Sequence, residues 1–153
     1  MSDVFDARTR SRMMSGIRAK NTGPELLVRR ALFGVGFRFR LHRRDLPGAP
    51  DIVLPGRRTA IFVHGCFWHA HQGCRLAKIP ATRRDFWERK LMGNAMRDRR
   101  AIEELIASGW RVLVVWECAL RRAELRASLP EFLREWVLGN SPFGEVSGAA
   151  SPR

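Results

Sequence analysis

The segment Arg58–Cys74, RTAIFVHGCFWHAHQGC, restricts the fold of this 153-residue chain more than any other stretch. Thr59 to Val63 is an apolar and β-branched run that follows the turn residues Pro55-Gly56, which predicts a buried strand delivering its end into a loop. That loop concentrates reactive chemistry. It carries His64, His69 and His71, three of the four histidines, and Cys66 and Cys74, two of the three cysteines, with Phe67-Trp68 between them.

Two readings of the loop stand side by side. Cys66, His71 and Cys74 are separated by short gaps that let one loop wrap a tetrahedral Zn²⁺, but they supply only three ligands. Cys118 is the remaining cysteine, and Cys66, His71, Cys74 and Cys118 together make a Cys3His set. In the other reading the thiols are small buried apolar groups and the histidines are satisfied loop polar groups. An odd cysteine count argues against a secreted disulfide framework.

Length and 45% hydrophobic content are enough for one well-buried core. The chain divides into a basic N-terminal arm (1–20), one domain (21–138) and a disordered tail (139–153) rich in small, polar, Pro and Gly residues. Twenty-eight Lys and Arg against fifteen Asp and Glu give a net charge of +13. Such a field draws in polyanions, so nucleic acid is the expected partner. With no long apolar run and no signal-peptide pattern at the start, the expected location is cytoplasmic.

Thr22-Gly-Pro-Glu25 opens a helix: Thr22 can cap it, Glu25 is the capping-box partner, and Pro24 suits the first turn. Leu26, Leu27, Ala31 and Leu32 form its apolar face, and Gly34 and Gly36 end it. Phe37 to Leu41 alternates apolar and basic residues, the pattern of a half-buried strand. Asp51 to Leu54 and Thr59 to His64 form a hairpin, which brings Asp51 and His64 to one end of the sheet. Arg83 to Ser108 is a long helix with Phe86, Leu91, Met96, Ile102, Leu105 and Ile106 at helical spacing, Gly93 as a point of breakage, and many arginines on its other faces. Trp110 to Trp116 suits a central strand, and two short helices, Ala119–Ala127 and Pro130–Leu138, cover the sheet. The fold class is α/β, a central mixed sheet flanked by helices.

Carboxylates at Asp51 and Glu25, histidines at His64 and His69, and a basic surface suggest metal-dependent phosphodiester hydrolysis. Each residue has a plainer reading as well: a strand-edge Asp is commonly a turn residue, and capping alone would account for Glu25.

The strings FVHGCFWH from Phe62, PATR from Pro80, Phe86-Trp87, Asn94, Arg97-Asp98 and GWRVLVVWEC ending at Cys118, together with MMSGIRAKNTGPE from Met13, resemble the very short patch repair (Vsr) DNA mismatch endonucleases. The resemblance implies a single domain with a restriction-endonuclease-like fold, a structural zinc, and a Mg²⁺-dependent nick in duplex DNA 5′ to the T of a T:G mismatch, as left by 5-methylcytosine deamination. Carried over by position, Asp51 would hold Mg²⁺ with the Val63 backbone carbonyl, where the family usually has Thr. His69 would help activate water with Glu25 in support, and His64 would assist at the phosphate. Zinc falls on Cys66, His71, Cys74 and Cys118. Phe67, Trp68 and Trp87, with Met14 on the basic arm, match residues that enter the DNA stack. A bacterial, nucleoid-associated monomer that works with mismatch-repair helper proteins is implied. A zinc-stabilised binder of distorted DNA that does not cut, and a related restriction-type endonuclease, are the alternatives.

Overall fold

The computed structural model describes residues 22–149; the expected basic arm, with Met14, lies outside the described residues. Five strands form one mixed sheet in sequence order: β1 (Arg40–Leu41), β2 (Ile52–Leu54), β3 (Thr59–His64), β4 (Arg111–Trp116) and β5 (Phe143–Val146). β1, β2 and β3 pair antiparallel, whereas β3–β4 and β4–β5 are parallel. A parallel pair needs a long return connection. Helix α2 (Arg84–Ala107) lies in the first of these and α4 (Ala123–Leu138) in the second, while α1 (Gly23–Gly34) precedes the sheet and the short α3 (Glu117–Leu120) follows β4.

The apolar runs of β3 and β4 are continuous because both faces of the sheet are covered. Ile61, Val63, Leu113 and Val115 point to one side, where Val28 and Leu32 of α1 and Leu129, Leu133 and Val137 of α4 meet them. Ala60, Phe62, Val112, Val114 and Trp116 point to the other, against Leu105 of α2 and Cys66. The α/β expectation with a mixed sheet flanked by helices is met.

Besides the expected apolar face of α1, where Leu32 is buried with Val28 but Leu26 and Leu27 are exposed, four local expectations change. The predicted strand Phe37–Leu41 pairs only at Arg40–Leu41, because its register would set Arg38 against Pro55, which has no N–H to offer. Phe37 and Phe39 still pack on the core. Helix α2 runs unbroken through Gly93, and Met96 is exposed; its buried residues are Leu91, Ala101 and Leu105. The two short helices after Cys118 are instead α3 and one continuous α4 containing Pro130. The buried stripe Leu129-Leu133-Val137 runs past the proline, and burial outweighs the lost bond to the Arg126 carbonyl.

The fourth correction concerns residues 139–153, expected as a disordered tail. Residues 143–146 form β5, the fifth strand of the sheet, in register with Val112–Val115. Gly144 explains why a polar, glycine-bearing stretch can sit there: a Cβ on it would lie 2.3 Å from Nε1 of Trp136. The Arg111 side chain anchors the turn before β5, donating to the Val137 carbonyl at 2.9 Å and the Ser141 carbonyl at 2.9 Å.

Candidate active site and metal centre

The antiparallel register Ile52↔Ile61 places Asp51, just ahead of β2, beside the end of β3. There its Oδ2 accepts the Val63 N–H at 2.7 Å. Glu25 arrives from the first turn of α1, which Thr22 caps by accepting the Glu25 N–H at 3.3 Å. The Glu25 side chain turns inward and is 2% exposed. Its Oε2 accepts from Arg29 Nη2 at 3.0 Å and from His42 Nε2 at 3.0 Å.

Potential ligand atoms of Glu25, His42 and Asp51 all lie within 4.8 Å of one another. Burial pushes the Asp51 carboxyl up to about 6; the Val63 N–H works against this and the nearby Glu25 charge adds to it. A carboxylate whose ionisation is opposed by burial and by a neighbouring carboxylate forms a site that a divalent cation relieves, and hard cations take oxygen ligands of this kind.

His64 ends β3, and His69 lies in the loop beyond it. Their rings stack with centroids 3.8 Å apart and planes 5° apart. His69 Nδ1 meets Asp98 Oδ2 of α2 at 2.5 Å. Because a carboxylate accepts, the Nδ1–H is the donor, and the lone pair of this tautomer falls on Nε2. A carboxylate that orients an imidazole in this way prepares it to take a proton. His64 is 3% exposed, and burial together with neighbouring His69 and His71 holds it well below the usual imidazole range. It is therefore neutral at pH 7.

The Cys3His set assembles as the spacing suggested: one ligand atom from each of Cys66, His71, Cys74 and Cys118 lies within 4.8 Å of the others. A tetrahedral zinc with Zn–S of about 2.3 Å and Zn–N of about 2.0 Å separates S from N by about 3.5 Å. His71 Nδ1 and Cys118 Sγ are 3.6 Å apart. The surroundings also suit bound thiolates. Cys66 Sγ accepts the Cys118 N–H at 3.3 Å, and Cys118 Sγ accepts the Gly148 N–H at 3.3 Å. Burial pushes the Cys66 thiol up; for Cys118 burial acts the same way, but hydrogen bonds with Gly148, Ser147, Cys66 and Cys74 together outweigh it and leave it below its ordinary value. Ser147 Oγ sits 3.3 Å from His71 Nε2, so the second ring nitrogen has an orienting partner, the usual companion of a metal-bound histidine. The other face of His71 stacks on Trp116 at 3.9 Å.

A cleft of ≈ 430 Å³ is lined by Glu25, Asp51, Val63, His64, Trp68, His69 and Asp98 among others. At its rim Phe67, Trp68 and Trp87 form a half-buried edge-on cluster, with centroids 4.9 Å apart for Phe67–Trp68 and 5.5 Å for Phe67–Trp87. None of the three belongs to either core cluster. Asn94 of α2 donates to the Trp68 carbonyl at 2.9 Å and fixes the loop to the helix. Beside this cluster α2 presents exposed Arg84, Arg89, Lys90, Arg97, Arg99 and Arg100.

The structure thus brings Glu25, Asp51, His64 and His69 to one cleft and Cys66, His71, Cys74 and Cys118 to a second cluster. Glu117 braces the loop between them, accepting from the Cys66 N–H at 3.4 Å and from Arg121 at 2.9 Å. Sequence reasoning gave no role to Asp98, His42, Arg29, Glu117 or Ser147. For Asp98 a signal existed: it is the acidic residue in a strongly basic helix segment, RDRR. His42 had none, since it stands alone after a basic strand.

Residues 2–75 match the model of the family described as DNA mismatch endonuclease Vsr. The chain is 46% identical over 148 residues to the DNA mismatch endonuclease Vsr of Escherichia coli strain K12, covering 95% of this chain and 94% of that protein. It is 52% identical over 120 residues to the type II nicking enzyme V.XorIIP of Xanthomonas oryzae, covering 78% and 88%. To the type II nicking enzyme V.NmeAIP of Neisseria meningitidis it is 43% identical over 136 residues, covering 88% and 96%. The chain belongs to the Vsr family of DNA mismatch endonucleases.

Proposed function

We propose that this protein nicks one strand of duplex DNA 5′ to the T of a T:G mismatch, the lesion left by 5-methylcytosine deamination, by Mg²⁺-dependent phosphodiester hydrolysis on a restriction-endonuclease-like fold. The observation that carries this reading is the convergence of Asp51, Glu25 and the Asp98-oriented His69 on one cleft. A protein that only binds DNA has no use for a carboxylate whose ionisation is opposed, set beside a second carboxylate. Asp51 and the Val63 carbonyl would hold Mg²⁺, which neutralises charge that develops on the phosphate. His69 takes a proton from the attacking water, with Glu25 in support. Neutral His64 serves at the phosphate as a hydrogen-bond donor rather than as a cation.

Zn²⁺ on Cys66, His71, Cys74 and Cys118 is structural, since four protein ligands leave no open position. Phe67, Trp68 and Trp87 enter the base stack at the mismatch, where opening a poorly paired step costs least. The arginines of α2 supply sequence-independent phosphate contacts. The protein acts as a monomer alongside mismatch-repair helper proteins in the bacterial nucleoid. A duplex with a single T:G pair, its T:A control, and reactions with and without Mg²⁺ test the proposal. Metal-dependent nicking of the mismatched strand alone is expected. Binding without cleavage would select the non-catalytic alternative, and equal cleavage of the T:A duplex at a short sequence would select the restriction-type one.

A further inference from the structure

His42 has no part in the reaction described above, yet its conformation is unusual and its side chain is committed. It follows β1 with φ 48°, in the left-handed region that side-chain-bearing residues seldom adopt. Its own N–H donates to the Asp51 carbonyl at 3.1 Å, one step beyond the β1–β2 ladder. Its ring Nε2 lies 3.0 Å from Glu25 Oε2, with the side chain 23% exposed and that of Glu25 3% exposed. Sparse backbone conformations held in place by several contacts collect at functional sites. At His42 the left-handed turn ends the strand, and the imidazole meets the Glu25 carboxylate.

The two partners on Glu25 Oε2 differ in what they reference. Arg29 stands four residues along the same helix, so it moves with Glu25. His42 belongs to the sheet and is bonded through its backbone to Asp51. It therefore fixes the carboxylate of α1 relative to the carboxylate of β2, and ties together groups that arrive from separate elements.

We propose that His42 is a positioning residue that holds the Glu25 carboxylate in register with Asp51 for the nicking step. The inference rests on the role given to Glu25 above. The carboxylate accepts, so the ring Nε2–H is the donor. A displacement of about 1 Å at a reacting group can lower a rate on the order of 100-fold.

Single-turnover nicking of the T:G duplex, with its Kd measured separately, tests the proposal in four variants. His42→Ala should slow nicking roughly 10- to 100-fold with Kd unchanged. His42→Gln, whose amide N–H can reach the carboxylate, should recover most of the rate. His42→Asn favours the same left-handed backbone but is too short to reach Glu25; it should melt like the parent and nick like alanine. In a Glu25→Gln background, adding His42→Ala should cost little more, because residues that act as a unit are not additive. Parental nicking by both His42→Ala and His42→Asn, with Glu25→Gln slow, overturns the positioning role alone. Losses that multiply in the double variant also overturn it. A fully active Glu25→Gln removes the role of Glu25 and this inference together.

Discussion

Asp51 should make the metal-free protein less stable than a variant that has lost its activity. Its carboxyl is raised from 3.8 to about 6 by burial, with Glu25 adding to the effect. An acid whose folded pKa lies above its unfolded value favours folding below the unfolded value, and that contribution is lost as pH rises through the folded one. Here the loss falls between pH 3.8 and about 6. At about 1.4 kcal/mol per pH unit it amounts to about 3 kcal/mol at pH 8, with about half already lost by pH 5. Asn at this position keeps an oxygen for the Val63 N–H but carries no charge. In Mg²⁺-free buffer with zinc retained, Asp51→Asn should melt about 6–12 °C above the parent at pH 8, and the gap should narrow toward pH 5. Added Mg²⁺ should raise the parent only, by mass action on the folded state. The variant should still bind mismatched duplex and should not nick it. Thermal melts at pH 5, 6, 7 and 8 decide the matter. A variant no more stable than the parent at pH 8, or an advantage that does not change with pH, would refute the account of Asp51 as a buried charge awaiting its cation.

His69→Ala should lower the nicking rate by about 10²–10⁴-fold, the range for losing a general base, while its melting temperature stays near the parent's. A rate within a few-fold of the parent would remove His69 from the chemistry. His71→Ala should lower the melting temperature and the zinc content together, and stripping about one Zn per chain from the parent with a strong chelator should do the same. Metal analysis and calorimetry on one sample check both, and a metal-free parent that melts normally counts against a structural centre. Trp68→Ala should abolish the T:G over T:A preference while salt-sensitive binding to ordinary duplex persists through the arginines of α2. If the only change is a lower melting temperature, with mismatch preference intact, Trp68 is a packing residue.

Much of this arrangement was legible because chemistry and periodicity coincided in sequence. The continuous apolar runs ending at His64 and Trp116 announced strands covered on both faces, and the hairpin at Pro55-Gly56 carried Asp51 to the end of β3. Cysteine supply was small enough that Cys118 had to complete any four-ligand set. What stayed hidden depends on contacts between distant segments. Glu25 reads as a cap, and its neighbours Arg29 and His42 show their purpose only when α1 lies against β2. Asp98 sits among arginines that suggest a solvated face, yet it points back to a loop 29 residues earlier. Pro130 suggested a break because a sequence displays the missing N–H but not the core that holds Leu129, Leu133 and Val137 in one line. Phe143 to Val146 was obscured by composition, since glycine and acidic residues weaken a strand pattern until Trp136 supplies the surface beneath it.

The position of β5 in the chain bears on how the molecule is made. A chain is synthesised from its N-terminus forward, and a domain folds as a unit. All four cysteine and histidine residues of the cluster have been synthesised once residue 118 is joined, but the hydrogen-bond partners of Cys118 and His71, Gly148 and Ser147, come about thirty residues after Cys118. Until then the edge of β4 that β5 later covers is unpaired. Gly148 leaves no latitude in the final fit, because a Cβ there would stand 2.6 Å from the Cys118 carbonyl oxygen. A message truncated after α4 would therefore yield a chain with the whole Cys3His cluster and no strand to close over it, a product more suited to proteolysis than to repair.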